Sequence, residues 1–293
     1  MKPPAFTYHD PSSVDEAVAL LGTLENARLL AGGQSLMPML NMRYAVPDHI
    51  IDLNRITALA GITQRGETLC IGAMTRQRDL ADHPLVRDRL PLMIEALGHV
   101  GHRQTRNRGT IGGSLCHLDP AAELVAVAAN LDATIEIVGP TGARVLPMAE
   151  FPLGFMTPNI APDEMVTAVD FPLPARGHGH CFLEMARRHG DFAIIAVAVL
   201  LELDPGGRIA RCAVTLGGAA AVPFRLAEAE AVLTGSAPDP ALFERAAAAA
   251  RAIEALEDAQ VPAWYRRQIA ETLMRRALGI AHARAVARQG AAA

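Results

Sequence analysis

Residues 103–115 read Arg-Gln-Thr-Arg-Asn-Arg-Gly-Thr-Ile-Gly-Gly-Ser-Leu. Arg106 and Arg108 precede Gly112-Gly113, and Thr110 and Ser114 flank that pair. Glycine lets the main chain approach an anion closely, and N–H groups, hydroxyls and guanidinium groups can then hold it. A second stretch of this kind, Ala31-Gly32-Gly33-Gln34-Ser35, adds an amide and a hydroxyl side chain to another glycine pair. Each stretch alone is compatible with an ordinary turn. Together they predict two contacts on one bound pyrophosphate.

Other residues offer weaker chemistry. Asp119 and Glu123 are four apart and would share a helical face, as an acid–base pair or, better, with Asp119 capping a helix at Pro120. Arg187-Arg188-His189-Gly190-Asp191-Phe192 sets cations, an acid and an aromatic ahead of an apolar run. It can form one wall of a cofactor cleft between domains or an inter-strand turn with a solvated charge pair. Phe155 and Met156 fit a similar wall or the core. Of the ten histidines, most are expected at the surface or satisfied. The four cysteines, Cys70, Cys116, Cys181 and Cys212, form no Cys-x-x-Cys pair, so no zinc or iron–sulfur site is expected within the chain. There is no nucleophile elbow, Walker loop or His-Glu-x-x-His pattern, and no catalytic side chain is predicted.

These segments need a scaffold. Ser12 or Ser13, with Glu16 at capping-box spacing, opens a helix through Leu21 that stops at Gly22. Arg28 to Ala31 is a short strand feeding the first glycine loop, and 49–53 is another. This order lacks the Gly-x-Gly-x-x-Gly helix opening of a dinucleotide fold of the Rossmann type. Leu69 to Ala73 is a strand, and Thr75 caps a helix over 76–81. Pro84 opens a longer helix to Gly98, and Pro120 opens another through Leu131. Residues 133–146 form a hairpin, and 164–171 a strand that ends at Pro172 and Pro174. Beyond residue 178, strands over 181–188 and 208–216 flank Phe192 to Leu203, a buried strand or a packed helix. Helices over 225–233, 241–256 and 264–285 follow, with 286–293 frayed. Strands followed by helices predict an α+β domain with helices over one sheet face.

The 293 residues exceed one typical domain. With 51% hydrophobic and 20% charged residues, the chain can bury sizeable cores. A net charge of −4 argues against a general nucleic-acid binder. No apolar run follows Met1-Lys2-Pro3-Pro4-Ala5-Phe6, and no segment has the length of a membrane span. A soluble cytoplasmic protein is expected, with contact to the inner face of a membrane only through partners.

Several stretches converge on one family: Ala31 to Pro38 with Asn41 and Arg43, Ile51-Asp52-Leu53-Asn54, Ile71-Gly72-Ala73, Arg106 to Ser114, Asp119-Pro120-Ala121-Ala122-Glu123, Arg188 to Phe192, and Gly217-Gly218 with Pro223-Phe224-Arg225. The chain resembles, over nearly its whole length, the medium FAD-binding subunit of the molybdenum hydroxylases, the class of aerobic carbon monoxide dehydrogenase and xanthine dehydrogenase. The resemblance implies an α+β fold: a two-part FAD-binding region of the vanillyl-alcohol-oxidase-like (PCMH) type, then a smaller C-terminal α+β domain. The expected boundaries are 1–56, 57–175 and 178–285.

The resemblance also implies the site. Ala31, Gly32, Gly33, Gln34, Ser35 and Leu36 would wrap FAD from one side, and Arg106, Thr110, Ile111, Gly112, Gly113 and Ser114 from the other. Asp119 or Glu123 would lie near the ribityl or adenosine part, and Arg188, Asp191 and Phe192 would approach the isoalloxazine. Many relatives carry a lysine near Glu184, so a flavin contact there is not carried over. The implied activity is electron transfer, in a dimer of heterotrimers. A large subunit would oxidise the substrate at molybdenum, and a small subunit would carry two [2Fe–2S] clusters. This chain would pass electrons through FAD to a quinone, NAD or another external acceptor. The substrate stays open. The alternatives are a self-contained FAD-dependent oxidoreductase and a flavin-free structural subunit.

Overall fold

The computed structural model describes residues 1–292, with side chains through Arg288. A three-stranded parallel sheet comes first, in the order Thr7–His9, His49–Asp52, Ala27–Leu30. Thr7–His9 precedes the first predicted helix and adds an edge strand that the sequence pattern did not reveal. The helix Val14–Thr23 crosses between the two outer strands of this sheet, capped by Ser13, whose Oγ accepts from the Glu16 N–H at 3.2 Å. The Glu16 carboxylate reaches back to the Ser12 N–H at 2.8 Å, completing the box one residue earlier than expected. Gly22 does not end this helix, which continues to Thr23. Ala17, Val18 and Leu21 pack on Ile51, Leu53 and Ile56.

A five-stranded antiparallel sheet follows, in the order Ile62–Arg65, Thr68–Gly72, Met165–Pro172, Thr134–Gly139, Gly142–Pro147. The long helix expected from Pro84 is two helices, Pro84–Arg89 and Pro91–His99. Pro91 has no N–H and disfavours helical backbone at Leu90, so the chain turns there before restarting. Thr75 does not cap the next helix; its hydroxyl accepts from the Gly61 N–H at 3.0 Å, and Gln77–Asp82 starts without a side-chain cap.

The C-terminal sheet runs Gly179–Met185, Ile195–Leu203, Ile209–Gly217, Phe224–Arg225, all antiparallel. Every residue from Ile195 to Leu201 is fully buried. Alternation assigns their two faces: Ile195, Val197, Val199 and Leu201 join the core under the final helix, Ala263–Ala292, while Ala196, Ala198 and Leu200 join the core of the preceding domain. Each buried Val or Leu contributes roughly 1.5–3 kcal/mol, so both faces of this strand hold the molecule together. This resolves the Phe192 to Leu203 ambiguity in favour of a strand. Small residues on one face let helix Glu123–Asn130 come close, and the buried Asn130 amide donates to the Ala198 and Ala213 carbonyls at 3.0 and 3.2 Å. The alanine-rich segment forms Pro240–Ala247 and a short 3-10 turn, Ala248–Ala252. The final helix extends to Ala292, beyond the predicted limit, and residue 293 lies outside the described residues. The molecule is thus a two-domain α+β fold.

Candidate functional site

Strand Ala27–Leu30 delivers Ala31-Gly32-Gly33 at its C-terminal end. Gly33 has φ 71°, a left-handed conformation that an L side chain strains. The Gly33 carbonyl accepts from the Met37 N–H at 3.1 Å as the short helix Leu36–Asn41 begins. Among the described residues, the N–H groups of Gly33, Gln34, Ser35 and Leu36 have no protein acceptor. The Gln34 amide donates to the Gly32 carbonyl at 3.2 Å, holding the loop in shape.

The second segment is built differently. Residues 103–108, expected as a loop, are a helix, Arg103–Arg108. The glycine pair lies in the first turn of helix Ile111–His117, with Thr110 as N-cap. Thr110 Oγ1 accepts from Gly113 N–H at 3.0 Å, Ala73 O from Gly112 N–H at 2.9 Å, and Thr75 O from Ile111 N–H at 3.2 Å. Protein acceptors therefore take the first donors of this helix. A Cβ on Gly112 would lie 2.6 Å from the Ala73 Cβ, so glycine is required there for close packing. The half-buried Ser114 hydroxyl stays without a protein partner among the described residues.

The two segments meet. A Cβ on Gly32 would overlap the Arg108 carbonyl and lie 2.9 Å from the Gly109 Cα, and one on Gly113 would touch Ala31 at 3.6 Å. Arg76 ties them: its guanidinium donates to the Arg108 carbonyl and to Asn54 Oδ1, and the Asn54 amide donates to the Ala31 carbonyl at 3.1 Å. Burial, then the neighbouring Arg108, lowers the pKa of Arg76. Arg76 and Asn54 were absent from the predicted site. Asn54 stood within the Ile51 to Asn54 stretch that carried the resemblance, but nothing in the sequence pairs it with Arg76.

The remaining predicted residues are placed as follows. Arg106 donates to the Val100 carbonyl at 2.8 Å, closing the turn after helix Pro91–His99. Asp119 is not a helix cap: its carboxylate accepts from the Ala121 N–H at 2.8 Å in a turn, and the helix starts at Glu123 with Ala122 as N-cap. Burial pushes the Glu123 carboxyl up to about 8, with Glu184 and Asp119 adding to the rise and Arg106 opposing it. Burial likewise pushes Glu184 up to about 7.

Arg188 and Asp191 pair with each other at 3.0 Å on an exposed connection, and Phe192 is 70% exposed. That connection reaches the arginine helix at its start, where a Cβ on Gly190 would lie 3.0 Å from His102 Cε1. It also borders a cleft of about 640 Å³ shared with Asp258, Gln260 and Arg266. Phe155 is exposed rather than core, at the tip of a small hairpin whose Thr157–Pro158 strand packs on helix Ile111–His117.

Burial pushes the Cys116, Cys181 and Cys212 thiols up to about 12 and Cys70 to about 11, which leaves them poor nucleophiles. Cys70, Glu136 and Asp170 bring possible ligand atoms within 4.8 Å of one another on the five-stranded sheet. His178 and His180 are buried, against the surface expectation, each with one ring nitrogen unpartnered among the described residues.

Comparison with known proteins agrees with this architecture. Residues 4–174 match the family described as the FAD binding domain in molybdopterin dehydrogenase, and residues 180–281 match the CO dehydrogenase flavoprotein C-terminal domain. The chain is 39% identical over 287 residues to the carbon monoxide dehydrogenase medium chain of Afipia carboxidovorans, covering 97% of this chain and 99% of that one. It is 38% identical over 289 residues to the 6-hydroxypseudooxynicotine dehydrogenase complex subunit alpha of Paenarthrobacter nicotinovorans, covering 97% of each. The solved carbon monoxide dehydrogenase from Hydrogenophaga pseudoflava superposes with a TM-score of 0.94 at 41% identity, covering 97% of this chain and 99% of that one. The chain therefore belongs to the medium, FAD-binding subunits of the molybdenum hydroxylase and carbon monoxide dehydrogenase family.

Proposed function

We propose that this chain holds FAD in the crevice where residues 31–36 and 106–114 meet, and relays electrons from [2Fe–2S] clusters of a small partner subunit to an external acceptor. A large partner subunit would oxidise the substrate at molybdenum. The observation that carries the reading is the junction of Gly32 with Arg108 and Gly109, beside four consecutive N–H groups that have no protein acceptor among the described residues. That junction fits a pyrophosphate: the loop offers donors and has no side chain at Gly33 to block approach.

FAD, when bound, supplies the redox chemistry. The chain's own part is positional. Gly33, Gln34, Ser35 and Leu36 would present N–H groups, and the hydroxyls of Ser35 and Ser114 would add donors. Ala31, Gly32, Thr110, Ile111, Gly112 and Gly113 would set the spacing of the two walls. Arg106 and Asp119 would border the crevice, and Arg188, Asp191 and Phe192 would form its rim at the C-terminal domain. Residues 1–56 and 57–175 would be the two parts of the FAD-binding region and 178–285 the C-terminal domain, each with its own sheet. On this reading the large partner subunit, not this chain, would choose the substrate.

Steady-state assays of the isolated, flavin-loaded chain test the reading. It predicts bound FAD without turnover of candidate substrates until the partner subunits are added. Turnover by the chain alone would overturn it.

A further inference from the structure

Glu123 and Glu184 come from different domains and share one corner. Glu184 lies on the edge strand Gly179–Met185, directly opposite Ala196. The Ala196 Cβ, the Ala126 Cβ and the Pro120 carbonyl all surround Gly217, within 3.4 to 3.6 Å of where its Cβ would be. Ala126 is one turn after Glu123 on the same helix face, so that face meets the face of the sheet that carries Glu184. The Gly218 N–H fixes the junction by donating to the Pro120 carbonyl at 2.7 Å. Glu184 Oε2 is buried there without a hydrogen-bond partner among the described residues. The charged groups acting on Glu123 are Glu184, Asp119 and Arg106, one cation against two acids. Arg106 already donates to the Val100 carbonyl. Two half-buried carboxylates with so little compensation do not both ionise readily; keeping a proton on one of them removes the repulsion.

We propose that Glu123 and Glu184 act as one proton-holding pair at the domain junction, and that an anionic cofactor entering the adjoining crevice strengthens their hold on that proton. The second half rests on the FAD reading above. The sign follows from electrostatics: a nearby phosphate raises carboxyl pKa values, so binding takes up a proton and affinity falls as pH rises. The upward shifts of both carboxyls, to about 8 and about 7, place this window at and above neutrality.

The test has two readouts on the full chain. Infrared titration without flavin should show a protonated-carboxyl band that survives above pH 6, where ordinary carboxylates are ionised. Glu123→Gln and Glu184→Gln should each remove it or shift its midpoint down. A band absent at pH 6 in the wild type, or unchanged in both variants, would overturn the pair. Titration with FAD, followed by flavin fluorescence, should show affinity about tenfold tighter at pH 6 than at pH 9, the effect of a rise of about one pKa unit on binding. Glu184→Gln should flatten that dependence. A band that behaves as expected with FAD affinity independent of pH would overturn the linkage alone. No FAD binding at any pH would overturn both the linkage and the FAD reading, while leaving the pair intact.

Discussion

The carbonyl of Arg108 occupies the space that a Cβ on Gly32 would need, so the two glycine segments are joined through a contact only glycine allows. Gly32→Ala must push the second segment away. The strain is about 1–3 kcal/mol, and roughly tenfold or more of FAD affinity should be lost with it. Gly98→Ala is the control: its Cβ would meet nothing within 4 Å, inside helix Pro91–His99. That change should leave flavin content intact and stabilise by about 0.5–1 kcal/mol. Flavin-to-protein ratio and thermal unfolding read both.

Arg76 and Asn54 act as one latch. Hydrogen bonds from a charged group are worth about 1.5–3 kcal/mol. Arg76→Ala should cost that much and loosen the Arg108 end of the junction, and Asn54→Ala should release Ala31. Their effects should be less than additive, because each variant already breaks the Arg76–Asn54 contact. A double-mutant cycle by denaturant unfolding measures this.

The domains are tied at Glu95. Its carboxylate accepts from the Phe182 N–H at 2.9 Å and pairs with Arg284 at 2.6 Å, so one side chain on helix Pro91–His99 holds a strand and the final helix. Glu95→Ala should destabilise by about 2–3 kcal/mol. The loss should fall on the C-terminal domain, seen as a second, earlier unfolding transition.

Stability should decline on both sides of neutrality for separate reasons. The Arg144 guanidinium, bonded at 2.7 Å to each carboxylate oxygen of Glu164, lowers that acid's pKa. Its stabilisation is present above the ordinary carboxylate range and is lost as pH falls through the lowered value. Glu123 and Glu184 are raised, so the folded chain binds more protons than the unfolded one between the ordinary range and about 8, and stability falls as pH rises across it. Glu184→Gln should flatten the alkaline limb and leave the acid limb unchanged, as followed by melting temperature against pH.

Much of this was legible beforehand for identifiable reasons. Glycine pairs with flanking polar residues marked the two segments that meet at Gly32 and Arg108, and Gly142 with its alternating neighbours marked the hairpin. Residues 111–117 do not read as a helix because Gly112-Gly113 has low helix propensity. The helix forms because Thr110 caps it and because only glycine fits against Ala73, a long-range fact. The continuous apolar run 193–201 could not reveal its periodicity, since both faces of the strand are covered. The Arg76 latch and the Glu123–Glu184 corner join residues distant in the chain, and no local pattern encodes such pairings.

The most direct measurement is the flavin content of the protein purified with its partner subunits, by release and identification of the chromophore. The account predicts FAD at about one per chain, falling sharply in Gly32→Ala. Absence of FAD, or a content that Gly32→Ala leaves unchanged, would contradict the assignment of this crevice as the cofactor site.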